Sequence, residues 1–138
     1  MAEKMKLEIV TPYGKVVDTD VDEVVAAGAL GEFGVLPGHA PLLTLLKIGE
    51  LCYKVDSVLT CMAVNTGYFE VRDNRIIVIA ETAENGKDID VERAKAACAR
   101  AEEALKTATD DKDIKLLEAA VLRATARISA AGRSVNTR

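Results

Sequence analysis

Apolar residues follow two different rhythms along this chain, and the change of rhythm divides it. Near the start Met5, Leu7 and Ile9 alternate with Lys6 and Glu8, the period-two pattern of a half-buried strand. Thr11-Pro12-Tyr13-Gly14 supplies turn residues and Lys15 to Val17 resumes an extended pattern, so the chain opens with a hairpin. Further strands are predicted at Val21 to Ala27, Gly49 to Val55, Val58 to Asn65, Tyr68 to Arg72 and Arg75 to Ala80. Asp73-Asn74 tolerates the positive φ of a tight hairpin between the last two. Many short strands at this spacing predict a β-sandwich or barrel.

Beyond Gly86 the spacing becomes helical. Val91, Ala94, Cys98, Ala101, Leu105 and Ala108 are separated by steps of three and four, and Ile114, Leu117, Val121, Ala124, Ile128 and Ala131 repeat them. Each segment therefore presents one narrow apolar seam, and two such helices joined by Thr107 to Asp113 pack as an antiparallel hairpin. Asp90 is the expected N-cap of the first helix and Thr109 or Asp110 that of the second, with Asp111 and Asp113 near the positive end of its dipole. Alanine-rich seams bury little area at roughly 25 cal/mol per Å², so chain entropy cancels most of the gain. The hairpin is expected to open when a ligand or partner worth a few kcal/mol favours another state. The fold class predicted is α+β, a β-sandwich over residues 1–86 followed by a helical hairpin over 87–138.

Composition sharpens this division. All five aromatics, all three prolines and eight of the nine glycines lie at or before Gly86, whereas 13 of the 52 residues after it are alanine. Residues 1–86 carry 7 basic and 13 acidic side chains, net −6, and residues 87–138 carry 11 and 9, net +2. From Ile114 onward Lys115, Arg123, Arg127, Arg133 and Arg138 face a single acid, Glu118, so this stretch is drawn to an acidic partner. Nucleic acid is not the expected partner, since the whole chain is net −4 and the basic stretch lacks interleaved aromatics. The longest apolar runs, such as Ile76 to Ala80, fall far short of the roughly 20 residues of a membrane span. The first ten residues lack a signal or transit pattern, so a cytoplasm-like compartment is expected.

Catalytic chemistry is thin. His39 is the sole histidine and has no Ser or Cys near it in sequence, while Cys52, Cys61 and Cys98 fall in strand or seam patterns where buried, inert thiols are expected. An odd number of cysteines with one histidine argues against zinc. Gly28-Ala29-Leu30-Gly31-Glu32-Phe33-Gly34 matches neither the G-x-x-x-x-G-K-[ST] nor the G-x-G-x-x-G phosphate pattern, and its simpler reading is a tight connection between strands. Glycines there are expected to leave Glu32 and Phe33 exposed at a loop tip as a contact point.

The run Gly31-Glu32-Phe33-Gly34-Val35-Leu36-Pro37-Gly38-His39-Ala40-Pro41-Leu42-Leu43-Thr44 resembles the signature stretch of the epsilon subunit of bacterial F-type ATP synthases, called delta in mitochondria. Leu7 to Pro12, Asn65 to Val71, Ala80 to Glu84 and Ile89 to Ala94 fit the same family, so the resemblance covers nearly the whole chain. It implies a β-sandwich with a C-terminal helical hairpin, in agreement with the division above. It further implies a rotor part with no active site, metal or cofactor of its own, whose partners are the gamma subunit, the c-subunit ring and the catalytic alpha and beta subunits. Such a protein works at the cytoplasmic face of the bacterial inner membrane, held there peripherally through the complex.

By position, Thr11, His39 and Thr44 would face gamma, and Glu32 with Phe33 would meet the c ring. The simpler reading of His39 is a turn residue bonded to its own loop, and of Glu32 a solvated charge. In this family the hairpin lies folded on the sandwich or extends to block ATP hydrolysis. Extended, Arg123 and Arg127 would dock on an acidic segment of beta, against the simpler reading of a solvated basic face. Ile89-Asp90-Val91-Glu92-Arg93-Ala94 also matches the family's I/L-D-x-x-R-A pattern for regulatory ATP. That match implies a site of Glu84, Asp90, Arg93, Arg100, Arg123 and Arg127, with four guanidinium groups gathered when the hairpin closes, so that ATP favours the folded form. The simpler readings are an N-cap for Asp90 and a linker charge for Glu84. A free-standing ATP-binding sensor of the same fold, and an enzyme using Cys or His, are the competing readings.

Overall fold

The computed structural model describes residues 3–136. Seven strands come first: β1 (Met5–Thr11), β2 (Gly14–Val21), β3 (Glu23–Gly28), β4 (Gly31–Val35), β5 (Leu42–Val55), β6 (Val58–Arg72) and β7 (Arg75–Asn85). A 3-10 turn, Gly86–Asp88, leads to helices α1 (Val91–Leu105) and α2 (Asp111–Asn136). Strand order is β2-β1-β7-β6-β5-β3-β4, antiparallel except for the β1–β7 pair. Sandwich followed by helical hairpin is the predicted class.

The strands differ from the sequence prediction in extent. The two segments expected at Val58 to Asn65 and Tyr68 to Arg72 are one strand, β6, and β5 begins at Leu42 rather than Gly49. Both long strands change which alternate residues face inward. Thr44 lies between Leu42, packed on the core, and buried Leu46, whereas beyond the bend Leu51 is buried and Tyr53 packs on the core; in β6 Met62 and Val64 give way to Phe69 and Val71. A period of two fixes the face only within a straight strand, so each bend reverses it and lets one strand serve both layers. Asp56-Ser57 and Asp73-Asn74, all with positive φ, make the two-residue turns that pin this register.

Phe69, Met5, Leu7, Ile9, Leu51 and Ile76 are fully buried and form the sandwich core. Gly28 to Gly34 is mostly strand, turning at Ala29-Leu30 and pairing β4 with β3. Phe33 is consequently not at a loop tip. Its ring packs edge-on against Phe69, centroids 4.9 Å apart, because alternation along β4 sends Phe33 and Val35 inward while Glu32 stays exposed.

In the hairpin, Asp90 caps α1 by accepting from Arg93 N at 3.1 Å, and Asp110 rather than Thr109 caps α2, accepting from Lys112 N at 2.8 Å. The two predicted seams meet each other, with Ala94, Ala101, Ala124 and Ala131 buried. α1 packs on α2, and it is α2 that rests on β5, β6 and the 3-10 turn. That second contact uses a stripe absent from the predicted seams, Ala126 and Ala130 against Cys52, Cys61 and Ala63.

Candidate functional site

The end of β7, the 3-10 turn and α1 as far as Arg100 enclose an open cleft of about 370 Å³, bounded on the far side by Arg127 of α2. Its walls carry Glu84, Asp88, Asp90, Arg93, Arg100 and Arg127, three acids and three arginines. Five of the six residues expected at a nucleotide site are thus brought together. Arg123 is not among them: it lines a shallow hollow around Ile48, Asn65 and Thr82 on the sheet side of the hairpin, which adjoins the cleft through Glu84 and Arg127. Four residues is one helical turn, about 6 Å of rise, enough to carry Arg123 past the opening.

The arginines do not face one another unpaired. Arg127 Nε donates to Glu84 Oε1 at 2.7 Å, both side chains being a little over a third exposed. This pair ties α2 to the last strand, at the modest worth of an exposed ion pair, about 0–1 kcal/mol. Asp90 is already engaged as the α1 cap. Arg93 and Arg100 are therefore the cationic side chains with no ion pair inside the cleft among the described residues. An anion of several oxygens, such as a polyphosphate, is the ligand class their planar donor forks suit.

A second tie lies farther along α2. Glu50 accepts from Ser129 Oγ and from Arg133 Nη1, the latter at 3.4 Å. Arg138, counted with the basic stretch, lies outside the described residues.

The residues expected to face a partner sort less well. Thr11 is buried: its hydroxyl donates to Gly14 O at 3.2 Å and accepts from Tyr13 N, completing the β1–β2 turn. Thr44 is half-buried and shares the inward side of β5 with Leu42 and Leu46. His39 sits with its ring Nδ1 2.6 Å from Ala40 O, in the loop that Asn74 pins by accepting from Gly38 N. Glu32 is exposed as expected, but Phe33 belongs to the core.

What sequence reasoning missed is the apolar outer face beside Thr44. Leu45, Tyr68 and Ile79 stand in one register row across β5, β6 and β7, and Leu43 and Ile77 stand in the row that also holds Glu70. Leu43 is 67% exposed, Tyr68 56% and Ile79 54%. Contiguous apolar surface of this kind on a strand face is a candidate docking surface. Its signal in the sequence was the loss of alternation at Leu42-Leu43-Thr44-Leu45-Leu46.

The three cysteines fall into two environments. Cys98 donates to Glu102 Oε1 at 3.2 Å, and that carboxylate pushes its pKa up, keeping it a protonated thiol. Cys52 and Cys61, expected as separate inert thiols, are instead joined as a disulfide.

The chain is similar to known proteins over nearly its full length. Residues 4–86 match the family model described as ATP synthase, Delta/Epsilon chain, beta-sandwich domain, and residues 87–132 match that of the long alpha-helix domain. An ATP synthase epsilon chain of Trichlorobacter lovleyi is 64% identical over 135 residues, 97% of this chain and 98% of that one. One from Geotalea daltonii is 58% identical over the same shares. Among solved structures, a chain of the Euglena gracilis mitochondrial ATP synthase, in an OSCP/F1/c-ring assembly, superposes with a TM-score of 0.82 at 20% identity, covering 92% of this chain and 81% of its own. A chain of the Tetrahymena thermophila enzyme, from a structure of central stalk and c ring, gives 0.67 at 14% identity, covering 94% and 98%. At such identities the structural likeness speaks for the fold.

Proposed function

The chain belongs to the ATP synthase delta/epsilon family, and from that premise we propose that it is a non-catalytic central-stalk subunit that couples proton flow to rotation and restrains ATP hydrolysis through its helical hairpin. The observation that carries this reading is the thinness of the seam between hairpin and sandwich. Ala126 and Ala130 bring one methyl each, at roughly 0.8 kcal/mol per buried carbon, Leu59 and Ile89 are only partly buried against them, and the Glu84–Arg127 and Glu50–Arg133 pairs add about 0–1 kcal/mol each. An element held so lightly shifts position when a partner or nucleotide favours one state by a few kcal/mol.

The sandwich supplies the fixed end. Its apolar face, Leu43, Leu45, Tyr68 and Ile79, is the surface for gamma, with His39 at the rim, and exposed Glu32 on β4 is directed to the c ring. Membrane association runs through the complex at the cytoplasmic face, and no helix among the described residues is long and apolar enough to cross a bilayer.

The cleft supplies the control. ATP phosphates engage Arg93 and Arg100, and with Glu84, Asp90 and Arg127 on the other walls the docked hairpin forms the complete site, so nucleotide favours docking by linkage. When α2 lifts, Arg127 leaves Glu84 and becomes available, with Arg123, for an acidic segment of the catalytic beta subunit. One side chain thus serves the latch in one state and the docking contact in the other.

The test is ATP hydrolysis by an otherwise complete catalytic complex, with this chain or with a version ending after Lys87. Faster hydrolysis with the shortened chain is expected. Equal rates would remove the inhibitory role and leave coupling standing. For the nucleotide site, Arg93→Ala should weaken ATP binding to the isolated chain about 10- to 100-fold, the worth of a lost charge-assisted contact; unchanged affinity would place ATP elsewhere.

A further inference from the structure

Beneath α2 lies a pair of groups that neither coupling nor nucleotide binding uses. Cys52 on β5 and Cys61 on β6 are directly opposed in the antiparallel register, with Cα atoms 4.1 Å apart and the sulfurs bonded. They lie on the outer side of the sheet, since Leu51 and Met62 beside them point into the core. Their lid is α2: Cys52 is 3% exposed and Cys61 0%, in one cluster with Ala63, Ala126 and Ala130. From the same helix Arg133 Nη1 stands 3.6 Å from Cys52 Sγ, with Glu50 alongside.

We propose that Cys52 and Cys61 form a reversible dithiol–disulfide pair, sealed by α2, whose oxidised form favours the docked hairpin. The direction follows from packing. Bonded sulfurs lie well inside van der Waals contact, whereas two thiols must stand about 3.5–4 Å apart like any non-bonded pair. The extra room is not available above them, because the ceiling is backbone-borne methyl groups of Ala126 and Ala130, which have no rotamer to change. Reduction therefore pushes against the helix. Access follows the same geometry: a reductant reaches either sulfur only when α2 has lifted, so the rate of exchange reports the opening of the hairpin.

The chemistry balances with a dithiol as co-reactant, dithiothreitol in the test and a thioredoxin-type protein dithiol in a cell. One thiolate of the reductant attacks one sulfur, and the electron pair of the S–S bond leaves on the other, which takes a proton. The second reductant thiolate then displaces the first protein sulfur, leaving two protein thiols and an oxidised reductant. Disulfides are uncommon where glutathione keeps thiols reduced, and a pair read out through a movable lid is the regulatory rather than the structural kind.

The experiment uses the full isolated chain, with no other subunit, so its outcome is independent of the inhibitory role. After equilibration in oxidising glutathione and unfolding, maleimide should label Cys98 alone, and after dithiothreitol it should label all three cysteines. Labelling of all three without reductant would overturn the proposal. Hydrogen exchange of α2 amides from Ala124 to Ala131 should run about fivefold or more faster in the reduced chain. Equal exchange in the two forms would also overturn it. Ala130→Glu, which unseats the lid, should speed reduction by dithiothreitol about tenfold or more. In Cys52→Ala, α2 exchange should no longer respond to reductant, and a response that persisted would assign the effect to Cys98 instead. Should a variant fail to fold, the comparison of the two forms of the unaltered chain still decides.

Discussion

The sandwich and the hairpin are packed with side chains of different size, and the proposed division into a fixed platform and a movable arm rests on that difference. Phe69, Leu7, Ile9, Leu51 and Ile76 fill the sandwich, each without measurable or with 1% exposure, while the buried part of the contact between α2 and the sheet is made by alanine methyls and a pair of sulfurs, with Leu59 and Ile89 only partly buried beside them. Burying a Leu, Ile or Phe contributes about 1.5–3 kcal/mol, and an alanine methyl roughly a third of that. On the proposed reading, the size of the interdigitating side chains, not regular secondary structure, tells the platform from the arm.

The largest test of this contrast is Phe69→Ala, which empties a site touching both layers of the sandwich and the Phe33 ring. It should cost about 3–5 kcal/mol in urea unfolding followed by far-UV circular dichroism. A cost below 1 kcal/mol would mean the sandwich is not the rigid member. Next, Ala130→Leu overpacks the sheet–helix seam, where Ala130 is fully buried. It should raise α2 hydrogen exchange by the equivalent of about 1–3 kcal/mol while leaving the sandwich unfolding midpoint in place. A matching fall in that midpoint would show the two regions to be one cooperative unit.

Asp90→Ala removes the α1 cap and should lower hairpin helicity by about 1 kcal/mol, read by the same exchange experiment confined to Val91 to Leu105. The smallest effect is that of pH on the sandwich rim. Asp22 is held below the usual carboxylate range first by the hydrogen bond from Lys4 Nζ at 2.9 Å and then by Asp56 N. A folded pKa below the unfolded value contributes stability that is present above about pH 4 and lost as the pH falls through the folded value. Asp22→Asn should therefore flatten a shallow acid slope in the urea midpoint without altering it at neutral pH by more than the exposed pair is worth. An unchanged slope would remove this linkage.

The helices were the most legible part of the sequence, because steps of three and four and an Asp at each start are local signals that tertiary structure had no reason to override. Strands β4 and β5 were hidden for opposite reasons. Glycine density masked the alternation of Glu32 and Phe33 in β4, and in β5 an apolar outer face erased alternation altogether, so Leu42 to Ile48 read as part of a motif rather than as a strand. Thr11 shows the limit of carrying a role over by position: its hydroxyl is spent within its own turn. Of the six residues expected at a nucleotide site, five were placed in one cleft and Arg123 beside it, since the helical period puts Arg123 and Arg127 on one flank but cannot say where the opening ends. The Cys52–Cys61 bond was not legible at all, because it depends on which residue of β6 stands opposite Cys52, a register fixed by the Asp56-Ser57 turn and by everything that packs beyond it.

The side-chain bond from Lys87 N to Asn85 Oδ1 closes the 3-10 turn at the point where the last strand hands over to α1. Since α1 finds its packing on α2, the movement proposed for α2 would carry both helices together, and the whole arm would turn about this single elbow. Its sweep is then governed by the backbone torsions of Gly86 to Asp90, which makes a proline or an added residue there a way to change the reach of the arm without touching either of its resting places.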